Sequence, residues 1–555
     1  MFQASKYPKG LFFLVFTEFW ERFGYYLMIG IFTLYMTADV SEGGFGWDNA
    51  DAADIYGTFI AVAYLTPFMG GLLADLKLGY RFSITLGGIL MGIGYCMLAI
   101  PEKWAFYTAL VIMVIGNGFF KPNISTLLGN LFNDPRYKDQ KDTGYNIFYM
   151  GINLGAFICN FIAAIMRNKI GWHGAFLSAG IGMFIGVITF WVGMKHYKHV
   201  DIRKEPKPED KPFIMQFARV LLMGVGFAVL GWFLPTALLG SNGEEYTIMG
   251  SRSTDAFFMF CFPVIYFFYT IYKNATTEEK KPMGTMFTIF IIVILFWAIF
   301  KQNGTALTTY AKSYTDREVS GSGLQLTKTL GFSDTLKAKN IETFQLDEQF
   351  RKIKDANGEP VKCIDYPSYF KNLDADEYPP QDQNLNLVNT EIFQSVNPFF
   401  VVILTPLLIA FFAFMRKRGS EPTTATKIAY GLLISALSTL VMVLAIHYTD
   451  NGMHKASAWW LIASYGVVTI GELCLSPMGL SMVSKLSPVR LTALMMGGWS
   501  LATSIGNKLS GVLAKNWDKF DNKANYFWLN FALLMLAFII MMFLLKRLNV
   551  VFKEK

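Results

Sequence analysis

Charge is scarce in this chain: Asp, Glu, Lys and Arg make up 16% of its 555 residues, against 53% hydrophobic and 16% aromatic. Soluble domains carry about 25% charged residues, so an ordinary soluble domain is excluded and an all-α integral membrane protein is expected. Cysteine is also sparse. Of five copies, Cys96, Cys159, Cys261 and Cys474 lie in apolar runs, which leaves no disulfide framework, and Cys363 is expected to face the outside as a free thiol. The five histidines (His173, His196, His199, His447, His454) fall near the ends of apolar runs or between them, so neither a metal site nor a buried histidine relay is indicated. No nucleophile stands at helical spacing from a base or from metal ligands. The chain is not read as an enzyme, and no catalytic residue, metal or cofactor is assigned.

What is present in abundance is apolar runs of about twenty residues. Reading each as a span places helices near 11–36, 55–76, 82–100, 104–131, 144–167, 173–195, 213–239, 255–273, 283–310, 391–415, 425–447, 457–484, 489–514 and 525–546, fourteen in all. Every second loop is basic, as at Lys6/Lys9, Lys77/Arg81, Arg136/Lys138/Lys141, Lys195 to Lys211 and Arg416/Lys417/Arg418, which puts both termini in the cytoplasm. The alternate loops are acidic or mixed, with Asp39, Glu42, Asp48, Asp51 and Asp54 in the first. The net charge of +8 is then a consequence of topology in a cell (inner, plasma) membrane and implies no nucleic-acid partner. The first span is too long, and too interrupted by charge, for a cleaved signal peptide.

Two polar interruptions divide the spans. Residues 1–200 form a six-helix block. Residues 201–280 hold a basic cytoplasmic linker and two further helices, expected to tether the halves without lining a path because, apart from Arg219, they bury no charge. Residues 281–555 form a second six-helix block, carrying an extracytoplasmic insertion at about 311–390 that is either a small domain or a long loop.

Glu18, Glu21 and Arg22 stand near the middle of the first span. Each ionised group at a bilayer centre costs roughly 2.5 to 3.5 kcal/mol on insertion scales, so the trio must face protein or water. The three share one helical stripe with Tyr25 and Tyr26, and Glu18 is set to pair with Arg22 four residues on. Lys121, Lys301 and Glu472 are the other ionisable groups deep in spans. Asn153 and Asn397 add amides, and Tyr64 and Trp499 add aromatic surface, although packing alone would also account for these two. The set suits a zwitterion: carboxylates for an ammonium, cations for a carboxylate, amides for peptide groups.

Glu18-x-x-Glu21-Arg22-Phe23-x-Tyr25-Tyr26 resembles the first-helix signature of the proton-dependent oligopeptide transporter family of the major facilitator superfamily. Gly70-Gly-Leu-Leu-Ala-Asp75 with Leu78-Gly-Tyr-Arg81, Phe148-Tyr-Met-Gly-Ile-Asn153-Leu-Gly155 and Gly471-Glu-Leu-Cys-Leu-Ser-Pro477 resemble further blocks of that family, in the right order. The resemblance implies two six-helix bundles around a central cavity, two inserted helices as in bacterial members, and proton-driven uptake of di- and tripeptides, with the chain acting as a monomer. It also implies roles. Arg22 and Lys121 would meet the peptide carboxylate, Asn153, Asn397 and Glu472 its amino end, and Tyr25, Tyr26, Tyr64 and Trp499 its side chains. Glu18 and Glu21 would couple protons, Lys121 and Glu472 would bridge the halves, and Asp75 and Arg81 would control helix rearrangement.

One departure stands out. Members typically carry an arginine seven residues after Arg22 and an acid in the seventh core helix, read as an outer gate; this chain has Ile29 and Lys301, and Gly57 where animal members have a histidine. Lys301 would then bridge to Glu21 or Glu18 in the gate's place. The alternatives are an uncoupled peptide facilitator and a transporter of the same fold for another small solute.

Overall fold

The computed structural model describes residues 7–201, 211–240, 246–356, 360–371, 378–487 and 492–553. Apolar runs this long satisfy their backbone only as helices in a bilayer, and each expected span is one: α1 (Lys9–Thr37), α2 (Asn49–Leu73), α3 (Tyr80–Leu98), α4 (Lys103–Leu131), α5 (Lys141–Ile170), α6 (Trp172–Gly193), α7 (Lys211–Leu239), α8 (Arg252–Lys273) and α9 (Thr277–Phe300). After α9 come a 3-10 turn (Lys301–Gly304) and two short helices, α10 (Ala306–Ser313) and α11 (Gly321–Leu330). The chain closes with α12 (Val396–Lys417), α13 (Thr424–Tyr448), α14 (Ala458–Leu486), α15 (Thr492–Lys515) and α16 (Lys523–Lys553). Twelve of the long helices are apolar enough to cross a membrane by composition. The other two, α1 and α15, are interrupted by buried charge and lie packed among them, α1 against α5 and α6 and α15 against α2 and α9.

Local signals account for several starts. Thr276 and Glu279 cap α9 reciprocally, each side chain accepting from the other's backbone N–H at 3.3 and 3.1 Å. Ser251 caps α8 through the Thr254 N–H. The 70–81 motif ends α2 in a π turn (Ala74–Leu78) and a glycine, Gly79, at φ +79°, a conformation other residues resist. Arg81 then pairs at 2.6 Å with Asp201 beyond α6, inside its own bundle. The side chain of Asp75 lies outside the described residues.

Each half has its own apolar core, α1–α6 in one and α9 with α12–α16 in the other. The pair α7 and α8 packs on the second half, sharing a core with α9, α15 and Ala61 of α2. The expectation that this pair buries no charge apart from Arg219 is corrected on both counts: Arg219 is exposed, and Asp255 of α8 is 4% exposed, accepting the Ile248 and Met249 N–H groups at 2.8 and 2.7 Å. A buried carboxylate is tolerable because two backbone donors hold it.

The insertion is ordered around a small core of Ala338, Tyr369, Phe370, Leu385 and Leu387. Strands β2 (Ser333–Lys337) and β5 (Asn384–Val388) pair antiparallel, as do β3 (Ile341–Phe344) and β4 (Lys362–Asp365), while β1 (Thr315–Asp316) runs parallel to β6 (Ala456–Ser457) before α14. Cys363, on β4, is a half-buried free thiol. This unit clamps both halves: Lys352 donates to the Gly46 carbonyl at 2.6 Å, Lys354 pairs with Asp48 at 2.7 Å, and Arg351 pairs with Asp521 at 2.9 Å. Beneath it lies a cavity of about 380 Å³ lined by Thr33, Asp39, Glu42, Lys312, Lys352 and Lys515 among others.

An even number of passes puts the chain ends on one face and the insertion on the other. Among the described residues, every hydrogen bond and ion pair between the bundles lies from mid-membrane toward the insertion face. Thr33 donates to the Gly304 carbonyl at 2.8 Å, Asn160 to Ser395 at 3.1 Å, and Ser504 to the Ala61 carbonyl at 2.6 Å; Asn168 and Asn389 exchange amide bonds at 3.0 and 2.8 Å, and Arg167 pairs with Glu391. On the terminal face, by contrast, Tyr149, Met150 and Leu154 of α5 are exposed. The bundles are joined from mid-membrane to the insertion face.

Candidate functional site

The α1 stripe is buried and tightly paired. Glu18, Glu21 and Arg22 are 3%, 0% and 4% exposed. Arg22 Nε lies 3.1 Å from Glu18 Oε1, and its guanidinium grips Glu21 at both oxygens, with Nη2 2.6 Å from Oε1 and a closer contact from Nε to Oε2. One cation thus serves two carboxylates. Glu18 Oε2 has no donor among the described residues, so it is the oxygen of the pair with room to take a proton. The expected pairing of Glu18 with Arg22 is present, and the guanidinium also lies 5.3 Å from the Tyr25 ring centre. The 148–155 motif explains how α5 reaches this stripe: a Cβ on Gly155 would meet the Phe19 carbonyl at 2.6 Å and the Phe23 nitrogen at 3.2 Å, so only glycine lets the two backbones close beside Arg22.

Tyr64 of α2 gathers the remaining cations. Lys121 Nζ, from α4, is 3.9 Å from the Tyr64 ring centre, and Lys301 Nζ, from the turn after α9, is 5.5 Å from it. Lys301 also stands 5.3 Å from the Trp297 ring. In the second bundle Asn397 of α12 donates to Thr469 at 2.9 Å and to Glu472 at 3.2 Å, both on α14. Asn153 donates to the Tyr149 carbonyl of its own helix at 2.9 Å, and Tyr25 and Tyr26 meet edge to face at 5.4 Å. Trp499 is 6% exposed and packs on Phe290.

Two expected bridges are absent in this conformation. Among the described residues neither Lys121–Glu472 nor a bridge from Lys301 to Glu18 or Glu21 is formed. The reason is geometric in each case: Arg22 occupies both α1 carboxylates, Asn397 occupies Glu472, and both lysines lie over an aromatic ring. Ile29, where an arginine would be usual, is 8% exposed in the apolar core.

The halves are joined instead by a pair that sequence reasoning missed. Lys508 of α15, fully buried, places Nζ 2.8 Å from Asp54 Oδ1 of α2 and donates to Thr58 at 2.6 Å and Ser253 at 3.1 Å. Asp54 accepts in turn from Ser251, Ser253 and Thr254 at 2.8, 2.5 and 3.1 Å. The start of α8 is therefore wired into the seam between the bundles. One turn further along α2, Gly57 abuts Gly511; a Cβ there would come 2.8 Å from the Gly511 Cα. Lys508 could have been found by scoring every lysine inside a span. Its distance from the span centre hid it, and Asp54 read as one more acid of an outer loop.

Chemically, the site offers a shared-cation carboxylate pair on one bundle, two ammoniums facing each other from opposite bundles, and an amide-carboxylate cluster opposite them. The profile described as the POT family matches residues 81–328 and 382–529. The chain is 28% identical over 513 residues to a di-/tripeptide transporter of Lactococcus lactis subsp. lactis (strain IL1403), covering 91% of this chain and 88% of the relative. It is 27% identical over 521 residues to the dipeptide and tripeptide permease A of Escherichia coli (strain K12), covering 92% and 85%. Among solved structures it is similar to the peptide transporter POT as a mutant bound to alafosfalin, with TM-score 0.73, 28% identity and coverage of 99% and 98%. A POT family transporter bound to 5-aminolevulinic acid matches with TM-score 0.73, 25% identity and coverage of 98% and 97%.

Proposed function

The chain belongs to the POT family, and we propose on that premise that it is a proton-coupled symporter importing di- and tripeptides by alternating access. The observation that carries this reading is a set of separated charges held by both bundles: cations at Lys121 and Lys301, an acid with its amide at Glu472 and Asn397, and a carboxylate pair on α1 that shares Arg22. A zwitterion of peptide length finds a partner for each end there. Relatives named as di- and tripeptide transporters support the substrate class.

On the basic-loop orientation the terminal face is cytoplasmic, so the face on which the bundles are joined is the outer one. Protonation of Glu18 or Glu21 weakens its hold on Arg22, and the freed cation competes for substrate and shifts the balance between inward- and outward-open forms. Arg22 and Lys121 meet the carboxylate, Asn153, Asn397 and Glu472 the amino end, and Tyr25, Tyr26 and Tyr64 the side chains. Trp499 reaches substrate only in a conformation that lifts it from Phe290. The protein works as a monomer in the plasma membrane with both termini inside.

Uptake of labelled dialanine into proteoliposomes, with and without an inward proton gradient and alongside counterflow at equal pH, tests this. Accumulation that requires the gradient is expected. The departure at Ile29 and Lys301 favours one second reading, a peptide facilitator, whose signature is counterflow without accumulation. Absence of both accumulation and counterflow would overturn peptide transport.

A further inference from the structure

We propose that Lys301 joins Lys121 to form the clamp that holds the peptide's terminal carboxylate, so that bound substrate itself supplies the charge link between the two bundles in the middle of the membrane. This rests on the peptide-import reading and refines its assignment of the carboxylate.

Both ammoniums address one ring. Lys121 Nζ lies 3.9 Å and Lys301 Nζ 5.5 Å from the Tyr64 centroid, which puts the two charges within about 9 Å of each other; a carboxylate accepting from each at ~2.8 Å spans nearly that gap, and small rotamer changes close it. Neither ammonium forms an ion pair or donates a hydrogen bond to a described residue. Among the described residues their close contacts are with aromatic faces, Tyr64 for Lys121 and Tyr64, Trp297 and Phe300 for Lys301. Cation–π contact orients an ammonium without neutralising it. Two like charges held this way repel each other, and an anion placed between them relieves both.

The cation on α1 is not free for the task. Arg22 already holds Glu18 and Glu21. The one nearby acid that could answer Lys301, Glu472, accepts from Asn397 instead and stays beyond ion-pair distance. Lys121 comes from α4 and Lys301 from the turn that ends α9, so a shared carboxylate ties the N-terminal bundle to the C-terminal one. The substrate's ammonium then points toward Glu472 and Asn397, where the acid of the second bundle lies.

Counterflow at equal pH isolates binding from proton coupling. Half-saturation would be measured for dialanine, and inhibition for dialanine amide, which lacks the carboxylate, in wild type, Lys301→Gln, Lys301→Met and Lys301→Arg. The clamp predicts that Gln and Met raise half-saturation for dialanine at least tenfold, leave inhibition by the amide unchanged, and that Arg stays within about threefold of wild type. Equal losses for acid and amide, or no loss, would overturn it. So would a loss confined to peptides with Asp or Glu side chains, which would place Lys301 against a side-chain carboxylate. A wild-type protein that does not exchange dialanine would instead overturn the peptide reading, and the clamp with it.

Discussion

Lys508 and Asp54 meet across the seam between the two bundles, Nζ 2.8 Å from Oδ1, in a pocket that α8 completes with Ser251, Ser253 and Thr254. The pair sits where the halves are joined on the insertion face.

Removing one partner of a buried pair leaves an uncompensated charge and typically costs about 3 to 5 kcal/mol. Asp54→Asn and Lys508→Gln should each open the insertion face. A cysteine at Thr33, in a Cys363→Ser background, is expected to react faster with a membrane-impermeant thiol reagent in either variant than in the parent. The exchanged pair, Asp54→Lys with Lys508→Asp, should recover part of the protection. Unchanged reactivity in the single variants would remove the latch role.

Gly57 and Gly511 set how closely α2 and α15 cross, and the obstructing atoms are backbone, which cannot swing aside. Gly57→Leu is expected to raise reactivity at the same reporter and to slow transport, with little change in helix content by circular dichroism. If the reporter stayed protected, the seam would tolerate a side chain and the glycine contact would not be limiting.

Glu21→Gln removes a charge that Arg22 holds from two sides. Gradient-driven accumulation of dialanine should fall to background while counterflow survives at a measurable fraction of wild type. Loss of both would assign Glu21 to binding or folding rather than to coupling.

Outside the membrane, Lys455 is half-buried beside β6, donating to the Ser313 carbonyl at 2.5 Å with Nζ 4.7 Å from the Tyr369 ring. Burial, with Arg317 nearby, lowers its pKa to about 7. Between that value and the ordinary lysine value the unfolded chain binds one more proton than the folded one, so stability contributed here rises with pH across that window and is lowest below about pH 7. Lys455→Met should therefore raise the melting temperature of the detergent-solubilised protein at pH 6 and change it little at pH 10. An equal shift at both would deny this lysine its part in the pH dependence.

Much of the architecture was legible because bilayer physics constrains sequence strongly. Each of the fourteen expected runs holds a long helix, since a backbone in hydrocarbon has few other options, although the run at 283–310 breaks after Phe300 into a 3-10 turn and a short helix. The pairing of Glu18 with Arg22 was legible too, because a four-residue offset on one helix fixes proximity locally. The insertion was not, because its alternating polar residues pair over gaps such as Ser333 to Val388, which no local pattern announces. Nor was the role of α8, which depends on three hydroxyls reaching an acid about two hundred residues earlier in the chain.

By itself, then, the sequence determined that this is a membrane protein of two six-helix blocks with a helical pair between them, and which rare charged groups the membrane must accommodate. Composition, period and charge along the chain are enough for that. Only the tertiary structure decided which charge answers which: Arg22 with both α1 glutamates, Glu472 with Asn397, Lys508 with Asp54, and Lys121 with Lys301 over Tyr64. Ion pairing falls off within a few ångströms, and the distance between helices far apart in the chain is set by packing, down to whether a glycine such as Gly57 lets two backbones touch.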